Sequence, residues 1–189
     1  MKERIKVAMS IGKMEVSPPS NEELLKELIE LYAESIKRLA YTYVKNWSAA
    51  DDITQEVFIK CYEKMEDFRG DSSYKTWLYK ITRNKCKDYL KSKWYRSFYP
   101  TAFMQERIGN NEFSIEEHVI NKLDDLELSQ KVLALPTKYR EIIILFYYEQ
   151  LKMKEIEALT HLNVDTIKTR LRRGKKMLQK KLERSGGNE

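Results

Sequence analysis

Between residues 21 and 45, Leu24, Leu25, Leu28, Leu31, Ile36, Leu39, Ala40 and Tyr43 recur at three- and four-residue intervals. That is the period of a helix with one buried face. Ser20, with Glu23 three residues on, reads as a capping box at its start. Asn46-Trp47-Ser48 breaks the pattern, and a second helix is predicted from Ala49 to Met65. Ile53, Val57, Phe58, Cys61 and Tyr62 form its buried stripe, with Asp52, Gln55, Glu56, Lys60 and Glu63 outside. Asp51 and Asp52 suit the positive end of that helix. After a turn signal at Phe68-Arg69-Gly70-Asp71-Ser72-Ser73, a third helix runs to Arg96 without Gly or Pro. Trp77, Leu78, Ile81, Leu90 and Trp94 give it an apolar side. No stretch from 21 to 96 alternates like a strand.

The pattern then changes. Tyr99-Pro100, Gly109-Asn110-Asn111 and a run of acids mark a linker, with a short helix capped by Ser114 and Glu117. Four more helices follow. Leu126 to Leu135 stops before Pro136, because the residue ahead of proline avoids helical angles. Tyr139 to Tyr148 is so rich in Ile and Leu that it must be buried nearly all round. Lys152 to Thr160 ends in the short turn His161-Leu162-Asn163, and Asn163 caps a last helix reaching about Leu182. Residues 1–20 show no clear period and end in Ser17-Pro18-Pro19-Ser20, as a mobile leader would; Ser185-Gly186-Gly187 opens a frayed tail, 185–189. The expected fold is therefore all-α. Two small helical domains, 21–97 and 126–184, are joined by a flexible acidic linker, 98–125, and the second is a four-helix unit. A chain of 189 residues can give each a modest core.

Charge adds a partner to this picture. The formal net charge is +6 and the pI about 9.1, but the distribution says more. Basic segments at 74–96 and 164–184 flank a middle where Glu106, Glu112, Glu116, Glu117, Asp124 and Asp125 outnumber Arg107 and Lys122. In the first basic segment Lys75, Lys80, Arg83, Lys85, Lys87, Lys91, Lys93 and Arg96 face one acid, Asp88. Tyr74, Trp77, Tyr79, Tyr89, Trp94 and Tyr95 are threaded among them. Such charge neutralises phosphate and such rings stack on unpaired bases. An amphipathic helix with a solvated lysine face fits the same letters.

Other chemistry finds little support. Cys61 and Cys86 stand in no metal-type spacing and read as reduced thiols of a cytoplasmic protein. No apolar run follows the charged start, so no signal peptide is expected. Ile142 to Phe146 is too short to cross a bilayer. His118 and His161 read as exposed or capping. With no nucleophile, base or metal set apparent, the chain is expected to be no enzyme and to need no cofactor, metal or small-molecule substrate.

Near the C-terminus a short helix, a tight turn and a basic helix form a helix-turn-helix pattern. Ile156, Leu159, Val164, Ile167 and Leu171 supply its internal contacts. Thr166, Lys168, Thr169, Arg170, Arg172 and Arg173 project near the start of the second helix, the end that enters a major groove. There Arg can bond guanine edges in pairs and Thr can meet a thymine methyl. Lys175, Lys176, Lys180 and Lys181 read as phosphate contacts or solvated charge. Two positions depart from the pattern: Glu157, where a small residue usually lets the helices cross, and His161, where glycine is common. Glu157 is expected to swing outward and pair with Arg170. Gly174 inside the helix costs about 1 kcal/mol relative to Ala, made up by packing.

Taken in order, these segments resemble the extracytoplasmic-function group of bacterial sigma-70 factors, over about residues 24–184. The matching motifs are Asp51-Asp52-Ile53-Thr54-Gln55-Glu56-Val57-Phe58, Phe68-Arg69-Gly70-Asp71-Ser72, Thr76-Trp77-Leu78-Tyr79-Lys80-Ile81 with Arg83-Asn84, Asp88-Tyr89-Leu90, Leu135-Pro136 with Tyr139-Arg140, and the helix-turn-helix. The resemblance implies a sigma factor that binds core RNA polymerase and directs promoter recognition, opening and initiation. Residues 21–97 would be region 2 and 126–184 region 4. Asp51, Asp52, Gln55 and Glu56 would dock on the clamp helices of the largest polymerase subunit. Phe68, Asn84 and the loop from Asp71 to Tyr74 would capture a flipped minus-ten base. Tyr74 and Trp77 would attend strand opening, with Trp77 leaning on the core, while Lys80, Arg83 and Lys87 would hold the backbone. Thr166, Lys168, Thr169, Arg170, Arg172 and Arg173 would serve the minus-thirty-five element. The linker would thread toward the polymerase cleft, and an anti-sigma protein would cover the docking and DNA-binding faces.

The physical logic agrees. Opening DNA costs about 1–2 kcal/mol per base step unstacked, which a pocket for an extruded base and stacked rings can offset. The alternative reading is a helix-turn-helix transcription regulator whose residues 21–96 sense a ligand or dimerise.

Overall fold

The computed structural model describes residues 20–98 and 126–183, with side chains for 20–92 and 128–183. The leader to residue 19, the linker with its Ser114 helix, the acids from Glu106 to Asp125, His118, the tail and the side chains of Lys93 to Arg96 lie outside the described residues. All regular structure among the described residues is helical, and they divide into two compact units between Cys86 and Lys87.

The first unit begins with α1, Asn21–Val44. The Ser20 hydroxyl accepts the Glu23 N–H at 3.2 Å and the Glu23 carboxylate accepts the Ser20 N–H at 3.0 Å, a closed capping box. Leu24, Leu28, Ile36, Leu39 and Tyr43 form the buried stripe. Leu31 is 60% exposed, because it falls roughly 100° from the centre of that stripe at 100° per residue. The helix ends as Lys45 turns left-handed at φ 52° and donates to the Tyr41 carbonyl at 2.8 Å.

Asn46 is itself the cap of α2, Trp47–Glu63, accepting the Ala49 N–H at 2.8 Å. The helix therefore starts two residues before the sequence pattern places it, and Trp47 belongs to its first turn. There Trp47 stacks on Tyr41 with ring centroids 4.1 Å apart. Ala50, Ile53, Val57, Phe58 and Cys61 bury against α1, while Tyr62, one residue past the stripe, is 45% exposed. Gly70, at φ 78°, turns the chain before α3, Tyr74–Phe98. Ser73 caps that helix by accepting the Thr76 N–H at 3.2 Å. Tyr74, Thr76, Leu78, Tyr79, Thr82, Arg83 and Cys86 are its buried positions within the first unit.

The second unit holds α4 (Leu126–Leu133), α5 (Thr137–Ile143), α6 (Met153–Thr160) and α7 (Val164–Glu183). Beyond Ile143, α5 widens into a π turn over Ile144–Tyr148. The Glu149 N–H reaches back five residues to the Ile144 carbonyl, and the Leu151 N–H six, to Leu145, each at 3.0 Å. Glu141 to Leu145 are all buried, as the apolar run requires, but Tyr147 is exposed, so burial is not all round. Arg140 is buried and ties α4 to α5: its guanidinium donates to the carbonyls of Leu133 and Leu135 and to the Thr137 hydroxyl. A cation suits those carbonyls, which end a helix without partners of their own.

α5 and α7 cross at Gly174. A Cβ there would lie 2.8 Å from Ile143 Cδ1 and 3.4 Å from Tyr139 Cβ. The absent side chain is what lets the helices approach, and this is the packing that offsets glycine's helical cost.

Candidate docking and nucleic-acid interfaces

The acidic face of α2 is flanked by cations from its neighbours. Lys37 of α1 pairs with Asp51 at 2.7 Å, and its ammonium lies 5.6 Å from the Trp47 ring centroid. Lys85 of α3 pairs with Glu56 at 2.7 Å. Asp52 and Gln55, between these two, are exposed. Four residues that look equivalent in sequence therefore fall into two kinds: two held carboxylates at the flanks and two open groups at the centre. Lys85 lies 29 residues from Glu56, so no local pattern signals the pair.

At the start of α3, Phe68 stacks on Tyr74 with centroids 4.3 Å apart and tilts against Trp77 at 5.0 Å. The three rings make one cluster, graded in exposure: Tyr74 is 2% exposed, whereas Phe68 and Trp77 are half-buried. Tyr74 is thus the floor of the cluster and not a surface ring. Arg83 is likewise 7% exposed, which removes its side chain from the surface where the backbone contact was expected. Both lie among the buried positions of α3, with Leu78, Tyr79, Thr82 and Cys86. Asp71 and Asn84 are exposed; Lys80 and Lys87 are half-buried.

In the second unit, α6, the turn and α7 form the expected helix-turn-helix. His161 takes the left-handed conformation at φ 56° and donates its N–H to the Glu157 carbonyl at 2.8 Å. Asn163 Oδ1 accepts the Thr166 N–H at 2.8 Å and caps α7. Ile156, Leu159 and Ile167 are buried. Glu157 does not reach Arg170. It pairs instead with Lys154, one turn back on its own helix, at 3.2 Å, and Glu155 accepts the Lys152 N–H at the start of α6. The helical neighbour wins because it needs no reach across the turn.

Lys168, Arg172 and Arg173 are exposed on α7, and Thr166, Thr169 and Arg170 are half-buried beside them. The Arg173 guanidinium hydrogen-bonds the Tyr139 hydroxyl and, against a smaller opposing effect of burial, holds that phenol below its ordinary range, with Lys138 adding to it. Lys138 lies 5.1 Å from the same ring centroid. Tyr139 and Arg140 have no role that the Leu135-Pro136 motif assigns them. Their partners, Arg173 and the end of α4, are what the structure adds.

Burial pushes both Cys61 and Cys86 thiols up to about 12, which makes them inert at neutral pH. Among the described residues no group of His, Cys, Asp and Glu could hold a metal, and no helix is long and apolar enough to cross a membrane.

Comparison with known proteins gives these surfaces a context. The family described as Sigma-70 region 2 matches residues 28–96, and that described as Sigma-70, region 4 matches residues 125–178. The ECF RNA polymerase sigma factor SigW of Bacillus subtilis (strain 168) is 32% identical over 170 residues, covering 86% of this chain and 90% of that one. The ECF RNA polymerase sigma-E factor of Escherichia coli (strain K12) is 29% identical over 168 residues, covering 82% and 85%. Among solved structures, the sigma factor RpoE of Bartonella quintana, crystallised with the anti-sigma factor NepR, matches with a TM-score of 0.67 at 22% identity. That match covers 84% of this chain and 96% of that one. CnrH, in complex with the cytosolic domain of CnrY, matches with a TM-score of 0.62 at 18% identity, covering 96% and 97%.

Proposed function

The chain belongs to the extracytoplasmic-function RNA polymerase sigma factors, and we propose that its two helical units divide polymerase docking and promoter opening from upstream promoter recognition. As a sigma factor it binds core polymerase and directs transcription initiation at promoter DNA. Asp52 and Gln55 make the central docking contacts on the polymerase, and Asp51 and Glu56 are held ready beside them by Lys37 and Lys85. Phe68 and Trp77, floored by Tyr74, offer rings to an unstacked minus-ten base, and Asn84 offers an amide to its edge. Lys80 and Lys87 hold phosphate, and Arg83 acts from within the helix packing. Lys168, Thr169, Arg172 and Arg173 read the minus-thirty-five element from α7, with Thr166 and Arg170 supporting them. The protein works in the cytoplasm, without catalytic residues of its own, under an anti-sigma partner such as the solved sigma factor RpoE carries.

The observation that carries this reading is the geometry of α3. It opens on the three-ring cluster, exposes Asn84 further along and is tied at Lys85 to the acidic helix. Run-off transcription with purified core polymerase tests it. Specific initiation is expected, lost with Asp52→Ala plus Gln55→Ala at the core-binding step and with Asn84→Ala at the opening step. Binding to duplex promoter DNA without core, and no association with core, would support the regulator reading instead.

A further inference from the structure

We propose that the Tyr147 hydroxyl and the Lys175 ammonium together hold one backbone phosphate of promoter DNA, beside the face of α7 that reads the minus-thirty-five element. Tyr147 lies in the widened turn that ends α5 and is 48% exposed. With Lys168, Arg172, Lys175, Lys176 and Gln179 of α7 it lines a groove of about 530 Å³. Four of these residues are cations, and among the described residues no carboxylate lines the groove. Lys168 meets Asp165, on its own helix, only at 3.9 Å, with both side chains open to water.

Three observations select a DNA phosphate as the ligand. The first is chemistry. Phenol and ammonium both donate hydrogen bonds, and a phosphodiester offers only acceptors. The Lys175 ammonium lies 6.0 Å from the centroid of the Tyr147 ring, so both donors are within reach of one anion. A lone exposed tyrosine is ordinary surface. This one is braced edge-on by Phe146, centroids 5.0 Å apart at 89°, and is brought beside α7 by the close approach of α5 at Gly174. The second is continuity. At about 100° per residue, positions 168, 172, 175, 176 and 179 fall in one stripe of α7. Lys168 and Arg172 belong to the reading face, so a duplex lying on them passes over Lys175. Lys181 is turned about 120° from Lys175 and lies off the stripe. The third is reach. Lys175 stands seven residues past Lys168, about 10.5 Å along the axis, and a major groove is about 12 Å wide. A helix whose start meets base edges therefore carries Lys175 to the phosphates at the groove wall, where Tyr147 arrives from a second helix. The inference rests on the reading of α7 as the minus-thirty-five helix.

A phosphate scan with holoenzyme tests it. The full chain is reconstituted with core polymerase and bound, at low temperature before strand opening, to a duplex that the native holoenzyme has selected from a random-sequence library. Each phosphate around the upstream element is replaced in turn by an uncharged methylphosphonate. At one position the replacement should weaken native binding about tenfold, and there it should do little further once Tyr147→Phe and Lys175→Ala are combined. Lys175→Ala should lower the slope of log affinity against log salt by about one, and Lys181→Ala by much less. Tyr147→Phe keeps the ring and its packing and removes only the hydroxyl. It should weaken binding several-fold with base preference unchanged. Undiminished methylphosphonate sensitivity in the double variant would overturn the proposal. So would a loss of core association with DNA affinity intact, which would make the groove a polymerase contact. Arg172→Ala separates the two levels of failure. If it leaves upstream base preference unchanged, the reading of α7 falls and this inference with it. If it relaxes that preference while the scan shows no coupling, this inference alone falls.

Discussion

Gly174→Ala separates helix propensity from packing at the crossing of α5 and α7. Propensity alone makes the variant more stable by about 1 kcal/mol, since alanine is the better helix former. The structure opposes this. The new methyl carbon would lie 2.8 Å from Ile143 Cδ1 and 3.3 Å from its Cγ1. Cδ1 is the end of a flexible side chain, but Ile143 is buried and has little room to turn away. Forcing a methyl into such a site costs about 1–3 kcal/mol. The net expectation is a loss of about 1 kcal/mol. Ile143→Val removes Cδ1 and by itself costs about 0.5–1.5 kcal/mol. In the double variant the new methyl occupies the vacated space, so the two losses should not add, with a coupling of about 1 kcal/mol or more. Native-state hydrogen exchange at α7 amides in the full chain gives the opening free energy of this unit without assuming that both units unfold together. If Gly174→Ala protects α7 by about 1 kcal/mol, or the pair is additive, then the close approach does not explain the glycine.

Other perturbations have equally direct outcomes. Arg140→Met leaves the α4 carbonyls without their donors and should cost about 2–3 kcal/mol; Arg140→Lys, lacking the fork, should recover little of it. Thermal unfolding with exchange over residues 131–140 measures both. Asn163→Ala should cost about 1 kcal/mol and fray the first turn of α7, read as faster exchange at the Thr166 amide. His161→Gly relieves about 1–2 kcal/mol of left-handed strain and forfeits about 0.4–1 kcal/mol to the freer unfolded chain. A small rise in melting temperature should follow; a fall would show that the His161 side chain holds the turn. The thiols set a pH trend. Their folded values are raised, so the unfolded chain loses these protons first as pH rises. Their contribution is full below the ordinary thiol range and declines between about 9 and about 12. Cys61→Ala should flatten alkaline denaturation, and neither native thiol should react with a disulfide reagent at pH 8.

The helices were legible in the sequence because each rests on a strong local signal. Ser20 with Glu23, Asn163 and the Leu135-Pro136 stop all act within four residues. The start of α2 was misplaced because Asn46 looks like a breaker until its side chain is seen to cap Ala49. In the candidate interfaces, residue type was readable and exposure was not. Tyr74, Arg83, Leu31 and Tyr62 each differ from expectation through the direction in which a neighbouring helix lies. The pairs Lys37–Asp51 and Lys85–Glu56 and the Tyr139–Arg173 contact join residues 14 to 34 apart, and nothing in a helical period encodes them. Glu157 went the other way, to a local partner, for the same reason that local signals read well.

The widened turn at Ile144–Tyr148 has a consequence for insertion and deletion. An α-helix turns about 100° per residue and can hide only one side. Five successive buried residues, Glu141 to Leu145, and then Leu151 in the same core ask for a looser spacing. The turn meets this by taking in one residue more than an α-turn holds. Losing a single residue there would restore regular helix while rotating everything beyond it by about 100°, carrying α6 and α7 away from their seat. The chain length of this turn, more than the identity of any one of its side chains, fixes where α7 points.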